Sequence, residues 1–152
     1  MMEVTAAVLG RQRFLHGLGA GQLESLAATA SEVTFPPRHR IFANEDHVGG
    51  FWLIESGCVV LDVQVPGESP AVIATVGIGG LLGWSWLLAP YLRAFGAVCV
   101  TEVRAIEFRA KAVRDRCAAD PELGHELTLR MFRVLTGRLQ DTTARLIARS
   151  VS

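Results

Sequence analysis

The sequence predicts an α+β fold: a β-roll of about eight short strands, led in by a helical segment and closed by a long C-terminal helix. Three observations carry this. Residues 4–31 place Phe14, Leu15, Leu18, Leu23, Leu26 and Ala30 on one helical face, interrupted by a turn at Gly17 to Gly21. From Glu32 to about residue 109 the texture becomes short apolar runs cut by Gly, Pro, Asn and Asp. At Asp120-Pro121-Glu122 a helix-start signal opens a sustained apolar stripe, with Asp as N-cap, Pro at the first helical position and Glu in the first turn.

Taken in order, Val33 and Phe35 alternate as a strand does, and Pro36-Pro37 turns the chain. Ile41-Phe42 follows, then turn chemistry at Asn44-Glu45-Asp46. Phe51 to Ile54 is an apolar strand in which Trp52 is a core residue, and Glu55-Ser56-Gly57 is a turn. Cys58 to Val65 pairs as a hairpin with Ala71 to Val76 across the loop 66–70. A glycine-rich bend occupies Gly77 to Gly83, and Trp84 to Leu88 reads as one helical turn before Pro90. Phe95 to Thr101 and Val103 to Phe108 are two more strands, Ala112 to Ala118 a short helix, and the last helix runs to about Arg149.

Composition narrows the function classes. At 152 residues the chain suits one domain, long enough to hide about 70% of the surface its unfolded form exposes. Fifteen basic residues balance fifteen acidic ones, so bulk charge gives no reason to expect nucleic acid as a partner. Cys58, Cys99 and Cys117 are too scattered for a disulfide framework or a zinc site, which points to a reducing, cytoplasmic setting. The N-terminus has no secretory pattern, and the apolar stretch Val76 to Leu92 is broken by glycines and Pro90, so no membrane span is expected. His16, His39, His47 and His125 show no paired spacing, so neither a metal site nor a metal-dependent cupin-like enzyme is expected. Nothing suggests a Ser-His-Asp or Cys-His set. Ser85, in Gly83-Trp84-Ser85-Trp86, lacks the second glycine of a nucleophile elbow, and the chain reads as a non-enzyme.

Several stretches together carry a resemblance. They are Phe14 to Phe42 with its Pro36-Pro37-Arg38-His39-Arg40, the turn at Asn44-Glu45-Asp46, Phe51 to Gly57, Gly77 to Ala97, Val103 to Phe108, and Asp120 to Arg149. In order and spacing they resemble the cyclic-nucleotide-binding domain family, the sensor module of the catabolite activator protein and of protein kinase A regulatory subunits. The resemblance implies a jelly-roll-like barrel in a single domain over 1–152. It divides into a helical segment at 1–31, a roll at 32–109 with the phosphate-binding cassette at 77–97, and helices at 110–150. It also implies a regulatory sensor. The DNA-binding module of the family's transcription factors is not expected here.

The cassette departs from the family pattern, which is Gly-Glu followed further on by Arg, a small residue and Ala. There the glutamate accepts from the ribose hydroxyl and the arginine pairs with the cyclic phosphate. Gly83 matches the glycine, but Trp84 stands where the glutamate belongs, and residues 69–101 contain no Asp or Glu. Anchored on the strand after it, the cassette places Arg93-Ala94 on the Arg-small pair with Phe95 for alanine. Anchored on Ala97, it places Phe95 where the arginine belongs. The first register needs no gap and is the one adopted. Loss of one charged hydrogen bond costs about 1.5–3 kcal/mol, at least about tenfold in affinity. No cofactor is therefore expected, and a cyclic nucleotide is bound weakly or not at all. The implied ligand set is Leu82, Gly83, Trp84, Ser85, Arg93, Ala94, Phe95 and Ala97, facing a small molecule that is more apolar and seats between roll and long helix.

Bland readings stand beside these. Trp84 and Trp86 are either a stacking platform or filler for the space a ribose would occupy, and Arg93 either holds an anion or is solvated. The second course would leave a structural interaction module with an aromatic-filled pocket. Arg38, His39 and Arg40 read as solvated edge-strand charges. Leu123, Leu127, Met131, Leu135, Leu139 and Leu146 form a stripe at steps mostly of four. That stripe either lies on its own roll or makes a homodimer through Leu127, Met131, Leu135 and Leu139. Arg130, Arg133, Arg138, Arg145 and Arg149 read as the solvated face of this helix rather than a nucleic-acid surface.

Overall fold

A computed structural model describes residues 2–43, 49–83 and 95–151. The N-terminal segment comprises strand β1 (Met2–Glu3), helix α1 (Ala6–Gly10), a 3-10 turn (Arg13–Leu15) and helix α2 (Ala20–Ala27). The roll follows as β2 (Ala30–Phe35), β3 (Arg40–Phe42), β4 (Gly50–Ser56), β5 (Val59–Val63), β6 (Ala71–Val76), β7 (Leu81–Leu82), β8 (Gly96–Cys99) and β9 (Val103–Arg109). Helices α3 (Ala110–Ala119) and α4 (Pro121–Val151) complete the chain. The strands form two sheets, ordered β1-β2-β9-β4-β7 and β3-β8-β5-β6, with antiparallel pairing throughout. The α+β reading and the hairpin of Cys58 to Val65 with Ala71 to Val76 hold. The two-residue strands β1 and β7 are additional, since pairs this short leave no periodic trace. The expected turns at Asn44-Glu45-Asp46 and Trp84 to Leu88 lie outside the described residues.

Local chemistry sets the helix ends. The Thr5 hydroxyl accepts from the Val8 N–H at 3.3 Å and opens α1. At the head of α2 the Gln22 side chain reaches back to the Gly19 N–H at 3.0 Å. The expected cap of the last helix is present, with the Asp120 carboxylate accepting from the Leu123 N–H at 3.2 Å. Gly57 turns β4 into β5 at φ 97°, and a Cβ there would collide with the Glu102 carbonyl.

Strands β4 and β9 are buried on both faces, so their alternation splits the interior in two. Phe51, Leu53, Ile106 and Phe108 point to a core under the helices, with Leu9, Phe14, Leu15, Leu26, Leu81, Leu123, Leu127 and Met131. Trp52, Ile54, Val103 and Ala105 point into the roll, with Phe42, Val59, Leu61, Val76, Leu82, Ala97 and Cys99. Trp52 is a core residue as expected, its indole N–H donating to Glu107 at 2.8 Å.

Helix α4 corrects the proposed interface. Leu127 and Met131 are 1% and 2% exposed, packed with Leu123 into their own domain, and so are not free for a second chain. Leu135 is half-buried and Leu139 is 67% exposed. The cause is geometric. Each step of four advances about 40° beyond a full turn, so a four-step stripe winds off the core it starts on. The outward face carries Leu129, Phe132, Leu139 and Leu146 instead, at steps of three and seven.

Candidate functional site

The turn between β6 and β7 positions the expected pocket. The Gly79 N–H donates to the Ile54 carbonyl at 2.8 Å, and the Gly80 carbonyl accepts from the Ile54 N–H at 3.0 Å, which ties the turn to β4. Gly79 and Gly83 sit at φ 80° and 81°, where a side chain would be strained. This turn delivers Leu82 into the roll opposite Trp52, while Leu81 faces the helices. Of the expected ligand set, Leu82 and Ala97 are fully buried in one apolar cluster, Phe95 packs half-buried against it, and Gly83 is buried beside Leu82. Phe42 and Trp52 stack in the same cluster with ring centroids 5.5 Å apart. Trp84, Ser85, Arg93 and Ala94 lie outside the described residues.

A polar element was missed. Arg40 is an exposed charge on the edge strand β3, as expected, but it is also paired: its guanidinium donates to both Asp62 carboxylate oxygens, at 3.0 and 2.8 Å. Asp62 is 8% exposed, and Arg40 holds its carboxyl below the usual range against the opposing effect of burial. Gly96 leaves the space, since a Cβ there would overlap both charged groups. The pair lies against Gly96, next in sequence to Phe95 of the expected ligand set. The signal was legible: an aspartate inside the run Val59-Val60-Leu61-Asp62-Val63 needs a cation when buried. Of its neighbours, His39 is exposed and stacks on Phe35 at 5.0 Å, and the Arg38 N–H donates to the Cys99 carbonyl at φ 67°.

Among the described residues, the space between roll and long helix has polar as well as apolar walls. It is a cleft of about 620 Å³, and Phe14, Val76, Leu81 and Val134 share its walls with Arg13, Arg130, Arg133 and Arg138. Three of the α4 arginines thus line a concavity rather than a solvated face, and Arg145 donates to the Ile73 carbonyl at 2.9 Å. Among the described residues no group of His, Cys, Asp or Glu is arranged to hold a metal ion, and no helix is long and apolar enough to cross a membrane.

Comparison with known proteins bears on this geometry. The family model described as "Cyclic nucleotide-binding domain" matches residues 32–120. The chain is 27% identical over 135 residues to a "CRP-like cAMP-activated global transcriptional regulator" of Mycobacterium tuberculosis H37Rv. That match covers 89% of this chain and 58% of the regulator, so the chain spans little more than half of its curated relatives. Among solved structures, a cyclic nucleotide-binding domain from Methylobacillus flagellatus superposes with a TM-score of 0.79 at 18% identity, covering 95% of this chain and 81% of that one. The catabolite activator protein of Thermus thermophilus gives 0.69 at 23% identity, over 90% and 62% of the two chains. At these identities the structural likenesses carry the fold alone.

Proposed function

Because the chain belongs to the cyclic nucleotide-binding domain family, we propose that it is a cytoplasmic, non-catalytic ligand sensor whose pocket no longer reads a cyclic nucleotide in the family's manner. The observation that carries this reading is the absence of any carboxylate between residues 69 and 101, with Trp84 at the glutamate position. The described side of the site supports this in character, because Leu82, Phe95, Ala97 and the Phe42–Trp52 stack form an apolar wall. Arg93 remains the candidate phosphate group, and Trp84 and Ser85 the candidates that face the ligand. A cyclic nucleotide would forgo the ribose hydrogen bond and bind at least about tenfold more weakly than in an intact cassette. Three free thiols, at Cys58, Cys99 and Cys117, suit a reducing compartment.

The output we assign to α4. A ligand that favours one seat of this helix shifts its population, and a second copy of the chain reads that shift through Leu129, Phe132, Leu139 and Leu146. Leu139 alone survives from the interface expected from sequence.

The test is intrinsic tryptophan fluorescence titrated with cyclic AMP and cyclic GMP, backed by calorimetry. The expected result is no saturable change at micromolar nucleotide in folded protein. Micromolar or tighter affinity for either nucleotide would overturn the altered-pocket reading.

A further inference from the structure

The cleft on the helix side of the β6–β7 turn has a chemistry that the roll pocket does not explain. Its walls bring Arg13 from the 3-10 turn together with Arg130, Arg133 and Arg138 from α4, while Asp141 is the one carboxylate among the lining residues. Four guanidinium groups against one carboxylate leave a surplus of positive charge in a concavity, where low-dielectric walls strengthen its field.

Three of these arginines are held in place by backbone carbonyls. Arg13 donates to the Ile78 carbonyl at 2.8 Å and Arg130 to the His16 carbonyl at 2.7 Å, while Arg138 donates to the Leu81 carbonyl. Arg130 is further fixed by an ion pair with Glu126. A guanidinium has five N–H donors, so each of these groups keeps donors beyond the bond that orients it. Arg13, Arg133 and Arg138 form no ion pair among the described residues. Arg138 is half-buried, and desolvation lowers its pKa. A cation withdrawn from water with no ion-pair partner is unfavourable. Such an arrangement is relieved by a bound anion, and planar forks suit phosphate oxygens.

We infer that this cleft binds a small soluble molecule carrying a phosphate or diphosphate group, at a site separate from the roll pocket. Its volume, about 620 Å³, lies within the range of small-molecule sites. Phe14, Val76, Leu81 and Val134 supply an apolar wall for the organic part of such a ligand. The two sites lie on opposite faces of one short strand: Leu81 lines the cleft and Leu82 belongs to the roll cluster.

The probe is inorganic pyrophosphate, titrated calorimetrically into the full chain at low and at moderate salt. Saturable binding of about one equivalent is expected, weakening with salt and undiminished by excess cyclic AMP. Arg133 is exposed and holds no backbone carbonyl, so Arg133→Gln should leave the melting temperature unchanged and weaken pyrophosphate by about tenfold or more. Arg138→Gln should weaken it as well, and Arg133→Gln keeps the test decisive if that variant folds poorly. The inference fails if folded protein takes up no pyrophosphate at millimolar concentration, or if Arg133→Gln binds as the parent does. It also fails if cyclic AMP displaces the probe completely, as a competitor for one site does, or if only phosphatidic-acid vesicles or a DNA oligonucleotide bind. Loss of the altered-pocket reading would leave it standing, because neither Arg13 nor Arg133 belongs to the roll cluster.

Discussion

Leu127→Ala and Leu139→Ala alter one helix three turns apart and should damage different properties. Leu127 is 1% exposed in the core shared with Phe14, Ile106 and Phe108. Truncating a leucine so enclosed costs about 3–5 kcal/mol. In a domain of this size each kcal/mol moves the melting temperature by about 2–4 °C, so Leu127→Ala should melt about 6–20 °C lower. Leu139 is 67% exposed. Alanine is a better helix former, and the change should alter the fold's stability by no more than about 0.5 kcal/mol. In a dimer, however, about two-thirds of that leucine surface becomes buried. Full burial of leucine is worth about 1.5–3 kcal/mol, so each protomer loses about 1–2 kcal/mol and symmetry doubles it. The dimer dissociation constant should rise about 30- to 1,000-fold. Circular-dichroism melts and sedimentation velocity over a dilution series read the two effects separately. An unchanged dissociation constant in Leu139→Ala, or a parent protein that stays monomeric at high micromolar concentration, would refute the seam. A Leu127→Ala variant that dissociates the dimer without lowering the melting temperature would refute the assignment of faces.

Two further substitutions test the titratable groups. Burial, and then Glu32 beside it, raise the pKa of Glu55, and its Oε1 is buried without a hydrogen-bond partner. The folded state therefore binds more protons than the unfolded one. Its favourable contribution is full below the ordinary value of 4.5 and is lost as pH rises through the folded value. Glu55→Gln should raise the melting temperature by a few degrees at pH 7, about 1 kcal/mol, and the gain should vanish in melts recorded below pH 4. Asp62 has the opposite sign: its lowered pKa stabilises the fold above the ordinary value of 3.8, and that support is lost as pH falls through the folded value. Asp62→Asn should cost about 1–2 kcal/mol at pH 7, a modest figure because the Arg40 side chain is 41% exposed and screened by water. The two melting curves should converge in acid; a constant gap down to pH 2 would mean that the ion pair is not the source.

The fold was readable where local rules and burial agree. Phe51 to Ile54 and Val103 to Phe108 are strands because branched and aromatic side chains suit strands buried on both faces, Val33 to Phe35 is the alternating, half-buried strand beside them, and Asp120-Pro121 starts α4 through the cap it forms. Partnerships between distant residues were not readable. Nothing near Arg40 in sequence announces Asp62, and the two meet only because β5 and β3 flank β8. Likewise Arg13 reaches the α4 cleft only once the N-terminal segment folds back on the β6–β7 turn. The stripe on α4 misled for a different reason. Steps of four describe a line that winds around a 3.6-residue helix, so Leu127 and Leu139 share a spacing rule without sharing a face.

Short strand β7 gives the two proposed sites a common mechanical element. Leu82 and Gly83 stand on the roll side, while Leu81 lines the cleft and offers its carbonyl to Arg138. A ligand in the roll that moves Gly83 moves the acceptor that orients Arg138, and an anion that draws Arg138 away releases that acceptor. Binding at either place must then change affinity at the other by the same factor, because the coupling free energy is shared. Helix α4 carries the consequence outward. The helix is tied down at Arg130 and Arg138 and lines the cleft with Arg133, over turns that also present Leu129, Phe132 and Leu139 on the exposed flank. An anion that fixes those turns reduces the freedom that a dimer would otherwise have to remove, so pyrophosphate should tighten self-association rather than loosen it.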